Sequence, residues 1–270
     1  MLDFRPMFSK ILDLILSKLS TWKIITSNIY KRSQSQLKIQ DEKFSEWNFD
    51  RKQAISKIDT VLQELYQENY SENNGMWSEH LVIMAAISSQ PNEIRNILEI
   101  GTFDGQTARI LSKLFPESEI TTIDLPQNIV DTKEIYKYAH EGNKLQSQRI
   151  NNLKGCSNVR FVEINSLSLI NENSKFDLIW VDGAHGYPIV AIDLINSLRI
   201  VTPHGYVMCD DVYDFTYSND SEYRSTGANE TLIALSEAGM IKYQLFLKRI
   251  NRIYNYPKFR KKSVGVFQKL

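Results

Sequence analysis

The sequence predicts an α/β fold: a doubly wound, mostly parallel seven-stranded sheet carrying an N-terminal helical extension. Three observations predict it. From about residue 76 onward, short apolar strands alternate with helical patterns, which is the signature of parallel βαβ units. A glycine-bearing turn, Glu99-Ile-Gly-Thr-Phe-Asp-Gly105, joins the first strand to the helix after it. The chain is 270 residues long, enough for one large α/β domain with an appendage.

The elements follow in order. Residues 1–25 place Leu2, Phe4, Phe8, Ile11, Leu12, Ile15, Leu16 and Leu19 at the spacing of an apolar helical face. Such a face needs a cover, and three are available: its own domain, a second copy in a homo-oligomer, or a membrane surface contacted peripherally. Residues 26–50 are polar and read as a connector. Residues 51–69 read as a helix, with Ile55, Ile58, Val61, Leu62 and Leu65 on one side. This divides the chain into an extension over 1–70 and a domain over 71–270.

Within that domain the periodicity predicts a helix over Met76–Ser88, a strand over Ile97–Ile100 and a helix over Gln106–Leu114. A strand at Ile120–Asp124, a polar helical stretch over 129–152 and a strand at Val159–Ile164 come next. Strand Phe176–Asp182, helix Pro188–Arg199 and strand Tyr206–Asp210 continue the alternation. Helix Asn229–Ala238 and strands Tyr243–Leu247 and Val264–Gln268 close it. In open sheets of this kind, ligands sit beyond the carboxyl ends of the strands, where strand order reverses. The residues at those ends are therefore the ones to read for function.

Composition narrows the choices. Thirty-two basic residues balance 32 acidic ones, so the chain as a whole is no polyanion binder. The charge is uneven, however. Ile241–Leu270 contains no Asp or Glu, whereas Lys248, Arg249, Arg252, Arg260, Lys261 and Lys262 recur there. This is either a solvated basic edge or a surface for an anionic partner. Two cysteines, Cys156 and Cys209, imply no disulfide framework and fit a reducing cytoplasm. Asp3 and Asp13 interrupt the N-terminal apolar stretch, so it is not expected to be a secretory signal. No run is long and apolar enough to span a bilayer.

The turn after the first strand is the sharpest motif. Gly101 and Gly105 permit a tight bend and close approach of a ligand, and the helix that opens there favours an anionic group at its N-terminus. A dinucleotide fingerprint would need glycine at 103 and 106, where Phe and Gln stand. A phosphate-binding P-loop would need Gly-Lys where Gln106-Thr107 stand. Neither fits. Asp124 ends the second strand about twenty residues beyond the turn, where an acid accepts hydrogen bonds from ribose hydroxyls; capping of the following segment is the alternative. A nucleoside-bearing ligand is expected.

These residues carry a family resemblance. The segments "NILEIGTFDGQTARIL" and "EITTIDLP" resemble motifs I and II of class I S-adenosylmethionine-dependent methyltransferases, whose sheet is Rossmann-like. Within that superfamily the chain is similar to small-molecule O-methyltransferases, of the catechol type and of the group acting on sugars and antibiotics. The resemblance covers roughly residues 72–270. It implies that Gly101 and Gly105 flank the methionine part of S-adenosylmethionine and that Glu99 steadies the loop or the cofactor ammonium. Asp124 would hold the ribose. Asn165, standing where the family often has Asp, would lie near the adenine. Thr102, inside the loop, and Asp182, at the end of the fourth strand, complete the cofactor set. The segment "NNGMWSEH" resembles the family's helix that closes over the cofactor, with Ser78 and Glu79 as possible contacts.

The fourth strand runs into Asp182-Gly-Ala-His185-Gly-Tyr187 and the fifth into Asp210-Asp211. Carboxylates gathered on one rim invite a hard divalent cation such as Mg²⁺, and the catechol-type relatives bind Mg²⁺ at acidic strand ends of this kind. Asp182, Asp210 and Asp211 are the expected ligands; turn formation and helix capping are the competing roles. Methyl transfer needs an in-line acceptor oxygen, loss of its proton, and stabilisation of developing charge. His185, with Asp182 beside it, is the candidate general base, since histidine changes charge near neutral pH; a loop histidine bonded to backbone is the other reading. Tyr187, Tyr213, Phe215, Tyr217 and Tyr223 follow these strands and either stack on an acceptor or pack the loops. The function expected is methyl transfer to a hydroxyl of a small molecule, assisted by a divalent metal. The competitors are an RNA methyltransferase using the basic C-terminal segment and a cofactor-binding or scaffold protein without turnover.

Overall fold

The computed structural model describes residues 34–72, 74, 76–126, 142–213, 225–250 and 262–270. The N-terminal amphipathic stretch, His140, Phe215, Tyr217, Tyr223, Arg252, Arg260 and Lys261 lie outside them. Helix α1 spans residues 34–46, followed by α2 (Arg51–Tyr66) and α3 (Glu79–Ile87). The sheet elements are β1 (Asn96–Ile100), β2 (Glu119–Asp124), β3 (Val159–Glu163), β4 (Phe176–Val181), β5 (Val201–Tyr213), β6 (Ile241–Leu247) and β7 (Lys262–Lys269). Helices α4 (Gln106–Leu114), α5 (Gly142–Leu153), α6 (Ile189–Ile200) and α7 (Gly227–Glu237) connect them, with a short 3₁₀ helix at Ser166–Asn171.

Seven strands form one sheet in the order β3-β2-β1-β4-β5-β7-β6. The pairings from β3 through β5 are parallel, and β7 runs antiparallel to both β5 and β6. Order therefore reverses between β1 and β4. Central strands such as Ile97–Ile100 and Leu178–Val181 are buried on both faces, which is why they read as continuous apolar runs. Alternation still sorts them. Leu178, Trp180, Tyr206 and Met208 join the core under α2, α3 and α4. Ile179, Val181, Val207 and Cys209 join the core under α6 and α7. Helix α3 is buried along its whole length, as its sequence HLVIMAAI demands.

Residues 26–50 were expected to be a connector, but 34–46 form a helix. Its inward face is largely amide rather than apolar, so no apolar periodicity announces it. Gln40 exchanges hydrogen bonds with the backbone of Leu247, accepting from its N–H at 3.0 Å and donating to its carbonyl at 3.1 Å. Lys43 donates to the Leu245 carbonyl at 2.6 Å. These bonds cover the outer edge of β6, a row of backbone groups that would otherwise invite pairing with another chain. Phe44 then packs edge-on against Phe246, ring centroids 5.0 Å apart, and belongs to the same core as Ile97, Trp180 and Val264.

Phe44 is completely buried. Its replacement by alanine should therefore cost the sheet domain itself about 3–5 kcal/mol, read as a shift of a single denaturant-unfolding transition. An unchanged midpoint would show that α1 is dispensable to the fold.

Candidate active site

The reversal between β1 and β4 brings two strand ends together, and the backbone welds them. Asp182 N–H donates to the Ile100 carbonyl at 2.8 Å, and Gly101 N–H donates to Ile123 at 2.9 Å. Gly101 has φ +101, and a Cβ there would overlap the Asp182 carbonyl. Its glycine is thus required by close approach of the β4 end. Gly105, at φ +78, turns the chain into α4. Asp104 Oδ1 accepts from Gln106 N–H at 3.0 Å and caps that helix.

Glu99 lies fully buried directly before this turn. One of its oxygens accepts from Thr122 Oγ1, which is itself 2.6 Å from Thr102 Oγ1. The other oxygen has no partner. Burial pushes the Glu99 carboxyl up to about 8, because an ionised carboxylate in a dry site is costly. An orphaned acceptor at the mouth of a glycine turn fits a cationic ligand group.

Asp124 is engaged from several sides. Its oxygens accept from Phe103 N–H at 2.9 Å, from Leu125 N–H at 2.8 Å and from Arg149 at 3.2 Å. Arg149 also donates to the Phe103 carbonyl at 2.6 Å, and Asn152 donates to the Asp104 carbonyl at 2.9 Å. Helix α5 therefore clamps the glycine turn from outside. Asn165, just past β3, accepts from Leu167 N–H at 2.9 Å and caps the 3₁₀ helix. Ser78 is bonded to His80 Nδ1 at 2.7 Å. Glu79 receives a two-pronged bond from Arg51 at 2.9 and 2.7 Å. Both side chains are thus committed to anchoring the segment before β1.

The rim beyond β4 and β5 is where sequence and structure part. His185 Nε2 lies 3.7 Å from Asp182 Oδ1. Register shifts in the β5–β7 pairing between Cys209 and Val212, and Asp211 takes a left-handed φ of +50. Consecutive strand residues ordinarily face opposite ways; this irregularity turns Asp210 and Asp211 toward one lysine. Lys248 Nζ donates to Asp210 Oδ2 and, at 2.6 Å, to Asp211 Oδ1, while Lys262 Nζ donates to Asp211 Oδ2. Burial opposes charge on Asp210, but the Lys248 ammonium outweighs it and holds that carboxyl well below its usual range. Burial, with the Asp210 charge added, pushes Asp182 well up.

This arrangement bears on the expected metal site. Both oxygens of Asp211 and one of Asp210 are taken by ammonium groups, leaving Asp210 Oδ1 buried without a partner, and Asp182 is biased toward holding a proton. Among the described residues, no group of three or more His, Cys, Asp or Glu is arranged to hold a metal ion. The residues present do not fit the cation. Lys248, Lys262 and His80 are the site residues that sequence reasoning missed. The acid-free run from Ile241 was noticed, but nothing in its spacing tied Lys248 to an aspartate 38 positions away. Tyr213 is buried with Lys262 Nζ 5.4 Å from its ring centre, which is a packing role; Tyr187 is exposed.

Residues 98–212 match the family model of a methyltransferase domain. Over this stretch the chain is similar to that family. Solved structures share this fold across most of the chain. An O-methyltransferase from Streptomyces achromogenes involved in tomaymycin synthesis, in complex with S-adenosylmethionine, superposes with TM-score 0.51 at 16% identity, covering 85% of this chain and 95% of that one. An O-methyltransferase from Bacillus cereus, in complex with S-adenosylhomocysteine, gives 0.50 at 15% identity over 79% and 97%. A Podospora anserina methyltransferase, also bound to S-adenosylhomocysteine, gives 0.50 at 18% identity over 78% and 88%. No curated protein sequence matches the chain significantly. Methyltransferase topology thus accounts for the glycine turn, the reversal point and the antiparallel β7.

The buried Glu99 makes stability depend on pH. Its carboxyl is raised to about 8 in the folded chain but titrates at about 4.3 when unfolded. The unfolded state therefore gives up its proton first. The contribution is complete below the unfolded value and is lost as pH rises through that window. Denaturant unfolding across the window should show stability falling with pH, with a shallower fall in Glu99→Gln; parallel profiles would contradict the assignment.

Proposed function

We propose that this protein transfers the methyl group of S-adenosylmethionine to a hydroxyl of a small molecule, with sugar and natural-product acceptors favoured. The observation that carries the reading is the unpartnered, buried Glu99 oxygen beside the glycine turn, at the point where strand order reverses. The bound cofactor supplies an electrophilic methyl on a sulfonium. In this reading Glu99 and the turn hold its amino-acid end, Asp124 shares its carboxylate between Arg149 and the ribose, and Asn165 borders the adenine. His185 takes the acceptor's hydroxyl proton as the oxygen attacks the methyl carbon. Asp182 stands beside His185, with Oδ1 3.7 Å from Nε2, and orients the ring.

A small acceptor is favoured over RNA by the direction of two basic side chains. Lys248 and Lys262 turn onto Asp210 and Asp211, so the C-terminal segment offers fewer charges to a phosphate backbone than its composition suggests. Strong, salt-dependent RNA binding in a gel shift would reverse that preference.

Calorimetry with S-adenosylmethionine tests the cofactor assignment. Binding is expected, with proton release below pH about 8 as Glu99 ionises against the ligand ammonium, seen as an enthalpy that varies with the buffer. No binding would sink the enzymatic and the cofactor-sensor readings together. Once an acceptor is found, His185→Ala should lower kcat by about 10²–10⁴-fold while leaving cofactor affinity nearly unchanged.

A further inference from the structure

We propose that Lys248 is a built-in replacement for a divalent cation, so that this rim carries its positive charge on the chain and takes up no metal. The inference rests on the methyltransferase reading for its functional meaning, but its geometry stands alone. Three carboxylates, Asp182, Asp210 and Asp211, gather at the ends of neighbouring strands, and such a set needs a cation. Lys248 enters from the end of β6 with its backbone fixed on both sides. Its N–H donates to the Lys262 carbonyl at 3.0 Å, and its carbonyl accepts from Glu79 N–H at 3.0 Å. Two residues on, Ile250 N–H donates to Glu72 at 2.6 Å. The ammonium is thus delivered to one place by a pinned backbone.

The aspartates are shaped to receive it. The irregularity in β5 and the left-handed Asp211 direct two consecutive carboxylates at a single nitrogen. Lys262, on the neighbouring strand, takes the remaining oxygen of Asp211. Mg²⁺ binds through near-octahedral oxygen geometry and keeps several waters. To enter here it would have to expel a tethered, buried ammonium and find room for its own hydration. Lys248 is accordingly a positioning residue: it holds Asp210 and Asp211 in place beside Asp182 and the proton acceptor His185.

The test is Mn²⁺ binding to the full chain, followed by electron paramagnetic resonance. Wild type is expected to leave Mn²⁺ free in solution. Lys248→Met should gain a bound ion, and adding Asp210→Asn should abolish that gain. A folded Lys248→Met that gains no Mn²⁺ would overturn the replacement. So would wild-type binding of Mn²⁺ that Asp210→Asn removes, and this comparison decides the matter even if Lys248→Met fails to fold. Failure of the methyltransferase reading would instead appear as absent S-adenosylmethionine binding, with the Mn²⁺ results unaffected.

Discussion

Three carboxylates at the ends of two adjacent strands cannot all stay ionised in a partly buried rim without a cation among them. Much of the local structure answers that demand. The β5 backbone is irregular where Asp210 and Asp211 must face together. Strands β6 and β7 each deliver one ammonium. Because the Lys248 carbonyl is tied to Glu79 N–H, and Glu79 is gripped by Arg51 and Gln40, the constraint runs on into the helices before the sheet. The extension and the rim are therefore parts of one connected network. A change at Arg51 or Gln40 acts on a backbone that positions Lys248.

The other half of the site is held by shape. Gly101 lets the β1 turn lie directly on the β4 end, so the glycine turn and Asp182 are fixed against each other. Helix α5 adds a second grip through Arg149 and Asn152, whose donors reach the carbonyls of Phe103 and Asp104. Arg149 also stands 4.6 Å from the centre of the Phe161 ring and shares Asp124 with the loop. Asp124 is thus already shared between the loop and an arginine of α5.

Local features were legible in the sequence and long-range partners were not. Parallel strands buried on both faces announce themselves as apolar runs, so β1, β2 and β4 fell within a residue or two of expectation. Gln106–Leu114 was recovered because its apolar face repeats at helical spacing. Helix α1 escaped because the residues it turns inward include Gln36 and Gln40, whose value lies in hydrogen bonds to a sheet edge some 200 positions away. The same limit explains the metal. A row of aspartates at strand ends states a need for positive charge; it does not say whether an ion or a side chain meets it. Lys248 and Lys262 looked like members of a basic surface run, and only the sheet order, with β7 inserted between β5 and β6, turns them toward the aspartates.

The two histidines of the rim are held very differently. Two histidines stand near the rim. His80 is buried, its ring stacked on Trp180 with centroids 5.3 Å apart and planes 11° from parallel, and its Nδ1 is bonded to Ser78. Burial presses it down to about 4, so it is neutral across the physiological range and resists taking a proton. That lowered value also means the unfolded chain binds the proton more readily, and stability from this residue drains away as pH falls from about 6.5 toward about 4. His185 stands in a different setting. Its side chain is 16% exposed, it lies on a loop at the strand ends, and its Nε2 is 3.7 Å from Asp182 Oδ1. His185 thus stands on the open side of the rim, while His80 serves as a neutral wall between Trp180 and the charged rim.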